Sequence, residues 1–386
     1  MNARNAVSAT ALSLISAQYF LYFGVMGVFL PYFNLYCYHL GFSGFQIGSL
    51  SAIRSLTMVV FSIMWGILAD RYRARRAIYI GCHVASAVIW GGFLMTSDFS
   101  AMVFLTIAYG LFYAPLISFL EAFAMDALGS EKRHYGRLRA WGSISFIATV
   151  ILVGRLIDAR GTGSILGLIL AGSLALAVVA TGVRRLPQIS TPLSGGLRIR
   201  AFLTPPIRTF LLCAFLMLFS HGAYYGFFSI HLEMLGFDKT FVGVCWAVAS
   251  GAEILVMIFS RRIFERFSMD RVLLVSFAVA VLRWVVLAVI DGAAAIVLAQ
   301  VLHAVTYGAF HIASILYVDS CADAAVKTVG QAINNAITYG LGLMAGFLFS
   351  GWMVAAVGIP GLFWISGGVA AAAGIIFFVQ QRGEAV

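Results

Sequence analysis

Charged residues are scarce in this chain of 386 residues, and their scarcity excludes most soluble functions. Asp, Glu, Lys and Arg make up 10% of the sequence, whereas an ordinary soluble domain carries about 25%. Hydrophobic residues make up 62%. Such a chain has too few charges to cover a water-exposed surface. The composition therefore predicts an integral membrane protein.

Cysteine clusters and catalytic motifs are also missing. The 5 Cys residues are scattered through apolar segments, show no metal-ligand spacing and indicate no disulfide framework. We find no nucleophile motif and no glycine loop that would cradle a phosphate. The 39 Gly residues are dispersed along the apolar runs, where small residues suit helix packing. We therefore expect no metal, no cofactor and no enzyme activity.

Long apolar runs are what the chain has in abundance. Each run of about 20 residues is long enough to cross a hydrocarbon core of about 30 Å. The runs are too long and too uniformly apolar for the strands of a membrane barrel. We predict an all-α integral membrane protein with twelve transmembrane helices in two pseudo-symmetric six-helix bundles. The predicted spans are 12–37, 45–69, 77–96, 100–127, 140–158, 163–182, 207–232, 241–260, 272–290, 293–317, 329–353 and 359–380.

A short acidic-then-basic hinge occurs twice and indicates an internal duplication. The segments 68–76 and 263–271 align at an offset of 195 residues, and the same offset superposes 40–42 on 235–237. Chance rarely keeps one register over such a length. A duplicated bundle of membrane helices is typical of two-lobed transporters.

One polar stretch with several Pro and Gly residues separates the two copies. We predict an N-terminal six-helix bundle over 1–183, a cytoplasmic linker over 184–206 and a C-terminal six-helix bundle over 207–386. The linker is too short for a catalytic domain. A membrane sensor is also disfavoured, because no soluble output domain is present.

The net charge of +10 would suggest nucleic acid in a soluble protein, but its placement indicates a membrane instead. Most Lys and Arg residues lie in alternate loops, whereas only Arg155, Arg160 and Lys239 lie in the others. This asymmetry places both termini in the cytoplasm, in a bacterial-type inner membrane. We expect the lipid bilayer, a small-molecule substrate and protons as partners, no nucleic acid, and a monomer.

Ionisable side chains inside the apolar runs are the first functional candidates. Each costs roughly 2.5–3.5 kcal/mol at mid-bilayer on insertion scales, so each needs a reason. The candidates near the midplane are Arg54, Glu253, Arg283 and His303, and those nearer the inner side are Glu121 and Arg139. Structural pairing of Glu253 with Arg283, and of Glu121 with Arg139, is the alternative reading. For Arg54 we favour a fixed cation that binds a carboxylate through two hydrogen bonds.

Polar and aromatic side chains recur at helical spacing on four of the runs and predict a lined cavity. Tyr225 and Asn334 are the members of these faces that we expect to contact substrate. The alternative is that the faces only join helices through hydrogen bonds and packing. Aromatic walls suit a flat apolar ligand, and they also suit a sugar.

The first hinge resembles the signature between helices 2 and 3 of the major facilitator superfamily. The matching residues are Gly66, Leu68-Ala69-Asp70-Arg71 and Arg75-Arg76. The match departs at Arg73, where the family usually has Gly. We predict gating roles for Asp70, Arg71 and Arg75, with an Asp70 salt bridge that holds one conformation and releases in the other.

Strings in several helices resemble the phenylpropionate permease family. The segments 135–143 and 221–227 carry this resemblance, together with Arg54, Glu253, Arg283-Trp284 and Leu302-His303. The resemblance covers nearly the whole chain. It implies a major facilitator fold and transport of a small molecule.

Lactose permease is a more distant relative by the same resemblance. Its sugar-binding acid and Arg correspond to Glu121 and Arg139, and its buried Glu, Arg and His correspond to Glu253, Arg283 and His303. The chain departs from it in having Thr306 where that permease has its proton-carrying acid. The position of the proton carrier is therefore not transferred.

These observations together predict a proton-coupled symporter that imports a small organic anion, for example an aromatic acid such as 3-phenylpropionate, by alternating access. The expected substrate contacts are Arg54, Glu121, Arg139, Tyr225, Arg283 and Asn334, and the expected proton-coupling residues are Glu121, Glu253 and His303. The alternatives are a proton-coupled sugar or nucleoside symporter and a proton-driven exporter of apolar drugs.

Overall fold

All regular secondary structure is helical in the part of the chain that a computed structural model describes, residues 9–183, 202–322 and 327–384. The helices before residue 184 are α1 (Ala9–His39), α2 (Gly44–Tyr72), α3 (Arg75–Gly92), a 3₁₀ turn (Phe93–Met95), α4 (Phe99–Tyr113), α5 (Pro115–Leu128), a 3₁₀ turn (Lys132–His134), α6 (Tyr135–Arg160) and α7 (Ser164–Thr181). Those after residue 201 are α8 (Pro205–Met234), α9 (Lys239–Arg266), α10 (Met269–Val289), α11 (Ala293–His303), a π-helical turn (Ala304–Ala309), α12 (Phe310–Cys321), α13 (Lys327–Asn335), a second π-helical turn (Ala336–Gly342) and α14 (Leu343–Glu384).

These helices give the twelve predicted crossings. Eleven segments of the described chain are long and apolar enough to span a membrane, and the last of them, Val329–Gly383, has 55 residues. Gly358, at φ 68° and ψ 174°, breaks the helical path inside this segment. A span needs only about 20 residues, so the segment holds two crossings. The predicted all-α fold is confirmed.

The two copies begin their second helix in the same way. Gly41 and Gly236 stand 195 residues apart, and both have positive φ, 81° and 87°. Two residues further on, the side chain of Ser43 accepts from the backbone N–H of Gln46 at 3.3 Å, and Asp238 accepts from that of Phe241 at 2.7 Å. A positive-φ glycine that ends one helix, followed by a side-chain cap that begins the next, is thus repeated.

The described chain divides into two compact units, and each includes one of these helix beginnings. At both helix beginnings, a glycine allows the helix to approach a neighbouring backbone closely. A Cβ on Gly48 would lie 2.8 Å from the Cα of Gly351, and a Cβ on Gly243 would collide with the carbonyl of Val150. The predicted linker, 184–206, falls mostly outside the described residues, so the predicted domain boundary stays a prediction. The first unit takes the described parts of Met1–Gly41, Leu56–Pro192 and Asp238–Gly243, and the second takes those of Phe42–Ser55, Leu193–Phe237 and Val244–Val386.

The beginning of α9 is held within the first unit by side chains of α1 and α6. The carboxylate of Asp158 accepts from the backbone N–H groups of Lys239 and Thr240 at 2.8 and 2.9 Å. The hydroxyl of Tyr32 donates to the carbonyl of Val150 at 2.6 Å and lies 3.1 Å from that of Lys239. A carboxylate at a helix N-terminus satisfies free N–H groups and the helix dipole together.

The first hinge contains a strained turn at Arg73. This residue has φ 50°, a left-handed conformation that favours glycine. The N–H of Ala74 donates back to the carbonyl of Ala69 at 3.2 Å, which closes the end of α2 as a Schellman-type cap. Arg73 therefore adopts a conformation that favours glycine, at the position where the signature that the hinge resembles usually has Gly.

We predict that Arg73→Gly stabilises the protein. A non-glycine residue in the left-handed region costs roughly 1–2 kcal/mol, and glycine removes that cost while losing some unfolded-state entropy. Thermal unfolding in detergent should show a net gain of about 1 kcal/mol. Arg71→Gly removes the same charge from a helical position and should instead cost up to about 1 kcal/mol. If both variants change the free energy of unfolding equally, the conclusion that Arg73 is strained is wrong.

Candidate functional site

A fully buried arginine lies at the centre of a polar cluster in the second unit. The side chain of Arg283, on α10, is 0% exposed. Its Nε donates to the carbonyl of Ala299 at 2.9 Å, and its terminal nitrogens donate to Nδ1 of His303 at 2.9 Å and to Oε1 of Gln300 at 3.1 Å. All three partners are uncharged acceptors. Hydrogen bonds rather than a carboxylate therefore replace the water around this charge.

Aromatic rings complete the surroundings of this guanidinium. The guanidinium carbon of Arg283 lies 4.2 Å from the ring centroid of Tyr224 and 4.7 Å from that of Trp284, distances typical of cation–π contact. The hydroxyl of Tyr224 donates to Oε1 of Gln300 at 2.9 Å, so this oxygen accepts from both Tyr224 and Arg283. The side chains are thus fixed in a single arrangement.

Arg283 determines which nitrogen of His303 carries a proton. Arginine has only donors, so Nδ1 of His303 must accept, and the imidazole is neutral with its hydrogen on Nε2. Nε2 lies 3.1 Å from Oε1 of Glu253 and 3.2 Å from the hydroxyl of Tyr225. The Nε2–H group can therefore donate to the carboxyl group. The result is a directed chain from Arg283 through His303 to Glu253.

A π-helical turn brings Glu253 against the helix that bears His303. The turn covers 304–309, directly after His303, and such turns shift the phase of a helix. Gly308 lies within it, and a Cβ there would touch Glu253 at 3.6 Å. The missing side chain at Gly308 leaves room for Glu253. The π-helical turn and the missing side chain at Gly308 together position the carboxyl group of Glu253.

A second histidine follows on the same helix. Nδ1 of His311 lies 2.6 Å from the hydroxyl of Tyr339, which belongs to the π-helical turn 336–342. The ring of Tyr307 lies 6.4 Å from His311 and 5.9 Å from Tyr339, centroid to centroid. Sequence reasoning missed His311. It continues the face of His303 and Tyr307 by one helical turn, and that spacing was the available signal.

Arg54 and Asn334, two predicted substrate contacts, also lie in this unit. Arg54 is half-buried on α2, and the hydroxyl of the next residue, Ser55, donates to the carbonyl of Gly340 at 3.2 Å. The carboxamide oxygen of Asn334, which is 1% exposed, accepts from Thr338 at 3.1 Å. Arg54 is therefore adjacent in sequence to a residue that contacts the helix of Asn334.

Some buried polar atoms of the second unit have no hydrogen-bond partner among the described residues. They include Nδ2 of Asn334, Oγ1 of Thr306 and Nε2 of His221. The other ring nitrogen of His221, Nδ1, bonds the carbonyl of Met217 at 2.8 Å. Buried polar groups in proteins are normally bonded to protein or water. These atoms are therefore available to a ligand or to water.

Glu121 and Arg139 lie in the first unit and are both half-buried. No ion pair between them occurs in the described ranges. The guanidinium carbon of Arg139 lies 3.8 Å from the ring centroid of Phe23. This arrangement does not support the alternative of a structural pair. Substrate contact stays the prediction for both residues, and proton coupling stays a second prediction for Glu121.

Two of the predicted gating residues, Asp70 and Arg75, belong to an ion-pair network at the first hinge. Nη1 of Arg75 lies 2.9 Å from Oδ2 of Asp126, on α5, and Nη2 lies 3.6 Å from Oδ1 of Asp70. The side chains of Arg75 and Asp126 are each 13% exposed, whereas Asp70 is 53% exposed. Arg71 is exposed. Asp126, which sequence reasoning missed, is thus the nearer and more buried partner of Arg75.

The structure brings four of the predicted site residues into one cluster, Tyr225, Glu253, Arg283 and His303. Within the residues described, no three His, Cys, Asp or Glu side chains meet as metal ligands.

Comparison with known proteins shows the family of the chain. Residues 12–364 match the model of the MFS_1 like family. The "Probable 3-phenylpropionic acid transporter" of Escherichia coli K12 is 26% identical over 372 residues, covering 90% of this chain and 96% of that protein. The maltose permease of Geobacillus stearothermophilus is 26% identical over 349 residues, covering 88% of each chain.

Solved structures agree on the fold. The crystal structure of the D323A mutant of the nucleoside transporter NupG superposes with a TM-score of 0.88 at 18% identity, covering 96% of this chain and 99% of that one. The resemblance found in the sequence is therefore confirmed, and the relatives are transporters rather than enzymes. The chain belongs to the MFS_1-like family and is a multi-pass membrane transporter.

Proposed function

We propose that this chain imports a small organic anion together with protons, exposing a midplane site alternately to the two sides of the membrane. The observation that carries the proposal is the contact of Glu253 with His303, which Arg283 orients from the other side. A carboxyl group inside a membrane is costly when ionised and tolerable when protonated. A proton gradient can therefore drive its change of state.

Glu253 is the proton site in this proposal, and His303 and Arg283 position it. The donor-only guanidinium keeps His303 neutral with Nε2–H directed at the carboxyl group. The carboxyl oxygen can accept this bond whether or not Glu253 carries a proton on its other oxygen. Arg283 is fully buried and already bonded at all three nitrogens. Its placement supports an orienting role in preference to the predicted substrate contact.

The substrate in this proposal is a carboxylate with an apolar or aromatic body. Arg54 supplies the fixed cation, and the free N–H of Asn334 can donate to a carboxylate oxygen. Tyr225 supplies a ring beside the proton site. The name of the E. coli relative, a 3-phenylpropionic acid transporter, points to the same class of compound.

A sugar or nucleoside is the second candidate substrate. Glu121 and Arg139 support it, because two half-buried charged groups that do not pair with each other can both bond hydroxyl groups. The names of other relatives, a maltose permease and a nucleoside permease, point the same way. With a sugar or nucleoside as the substrate, Glu253 remains the proposed proton site.

The hinge completes the proposal with a gate. Arg75, held by Asp126 and reached by Asp70, can keep α2, α3 and α5 together in one conformation and release Asp70 in the other. The more buried pair, Arg75 with Asp126, anchors the gate, and the exposed Asp70 is its movable partner. A monomer with both termini in the cytoplasm remains our prediction for the assembly.

We predict that proteoliposomes accumulate labelled 3-phenylpropionate only under an inward proton gradient. Arg54→Ala should weaken uptake about ten- to hundredfold, because a hydrogen bond to a charged group contributes about 1.5–3 kcal/mol. Arg155→Ala removes the same charge from an exposed position in α6 and should leave uptake unchanged.

The outcomes separate the candidates. Gradient-driven accumulation of maltose or uridine, without 3-phenylpropionate, would select the second candidate, and Glu121→Gln should then abolish that uptake. Accumulation that ignores the proton gradient would overturn proton coupling. Full activity of Arg54→Ala would remove Arg54 from the substrate site.

We predict that Glu253→Gln abolishes uphill uptake but spares exchange. The amide keeps an oxygen that can accept from Nε2 of His303, so the cluster should stay folded, but it cannot carry the proton. Counterflow, in which labelled substrate exchanges for unlabelled substrate without net proton movement, should continue. Glu131→Gln, at an exposed turn, is the matched control. Uphill uptake at the wild-type level would exclude Glu253 from the proton path.

A further inference from the structure

We propose that His311, together with Tyr339, relays the transported proton between Glu253 and the side of the membrane where α12 ends. This inference rests on the proton-coupled transport proposed above and assigns it a second titratable station. The positive-inside asymmetry predicts that this side is the cytoplasm. Three histidines of the second unit belong to the same group of rings: His303 contacts Glu253, His221 lies 5.8 Å from His303, and His311 lies 6.4 Å from Tyr307, centroid to centroid. The chemistry of their partners distinguishes them.

His303 cannot serve as a proton-carrying station while Arg283 is in place. A second proton would have to bind Nδ1, which already accepts from the guanidinium at 2.9 Å. A protonated imidazole has two donors, and arginine has no acceptor. The two cations would then face each other with no oxygen between them. His303 therefore orients Glu253 and stays neutral.

His221 is held in a single form by a different partner. Its Nδ1 lies 2.8 Å from the carbonyl of Met217, which can only accept, so Nδ1 carries the hydrogen. The added proton would go to Nε2, which is buried without a partner among the described residues. A buried charged donor without an acceptor is strongly unfavourable. His221 is thus also a poor station.

His311 differs from both because its partner can reverse its role. The hydroxyl of Tyr339 donates to Nδ1 of neutral His311, and it can accept from the same nitrogen when His311 is protonated. The 2.6 Å contact is therefore kept in both states. The side chain of His311 is half-buried, so its ring is not closed off completely by the protein. Proton gain and loss at this position therefore preserve this hydrogen bond.

A single aromatic ring, that of Tyr307, lies between His311 and His303, which contacts Glu253. His303, Tyr307 and His311 follow one another along the helix, with centroid separations of 5.2 and 6.4 Å. Glu253 packs on Gly308, within the same turn. The titratable rings that contact His311 in the described chain are Tyr307 and Tyr339.

The proton balance of the relay is simple. The Glu253 carboxylic acid loses one proton and becomes a carboxylate, while neutral His311 gains that proton, which the relay requires a water molecule to carry. Protonated His311 then releases one proton to the water on the side where α12 ends and is neutral again. Glu253 stays a carboxylate until it takes a new proton from the opposite side of the membrane. The substrate provides no proton, and no other reactant is consumed.

The test compares net and exchange transport in His311→Gln and Tyr339→Phe. The substrate is labelled 3-phenylpropionate, or uridine if that is what the wild type accumulates. Gradient-driven net uptake and substrate-induced proton movement in lightly buffered vesicles should fall about tenfold or more in His311→Gln, with counterflow within about twofold of wild type. Tyr339→Phe keeps the ring and should lower net uptake less, with a changed pH profile.

The outcomes distinguish this inference from the proposed function. If the wild type shows no gradient-driven uptake, proton-coupled transport itself fails. If the wild type accumulates substrate and both variants match it in rate and pH profile, the relay is wrong. Equal loss of net uptake and counterflow in His311→Gln, with the wild-type unfolding temperature, would assign His311 to substrate binding and overturn the relay. His134→Gln, at a half-buried position in the turn before α6, serves as the control substitution.

Discussion

The burial of Arg283 is the constraint on which the second unit depends. A permanent cation inside the membrane must be surrounded by acceptors and ring faces, and Ala299, Gln300 and His303 provide the acceptors. These three belong to one stretch of helix, which is therefore held against α10 in a single register. Because the guanidinium cannot give up its proton, every hydrogen bond beyond it acquires a direction. The orientation of His303, and through it the surroundings of Glu253, follows from this one charge.

The two copies match where the backbone geometry requires particular residues, and they differ in the ion pairs that their hinges form. The positive-φ glycines at 41 and 236 and the caps at 43 and 238 occupy matching positions, because each ends one helix and begins another within a few residues. The hinges that follow have diverged. Asp70 belongs to a network between helices, whereas its counterpart Glu265 pairs at 2.7 Å with Arg261 of its own helix and is exposed. One fold thus carries an ion-pair network between helices in one copy and an ion pair within a single helix in the other.

Three histidines of the second unit differ in the hydrogen-bond partner of the ring, and this partner determines what each histidine can do. His221, His303 and His311 occupy neighbouring positions but face a carbonyl, a guanidinium and a hydroxyl, respectively. A carbonyl only accepts, a guanidinium only donates, and a hydroxyl does both. Burial alone would treat the three rings as equivalent. The first atom that each ring meets determines whether it can change its protonation state without losing a bond.

The amino-acid sequence by itself determined the membrane class, the helical crossings and the family. A run of about 20 apolar residues has one favourable state in hydrocarbon, a helix that satisfies its own backbone, so the predicted spans agree with the helices. Single residues such as Glu253, Arg283 and His303 also stood out, because each is costly at its depth. Only the tertiary structure decided which of them meet and which atom donates. Gln300, His311 and Asp126 owe their importance to partners on other helices, and the two π-helical turns shift the helix phase in a way that regular 3.6-residue spacing does not encode.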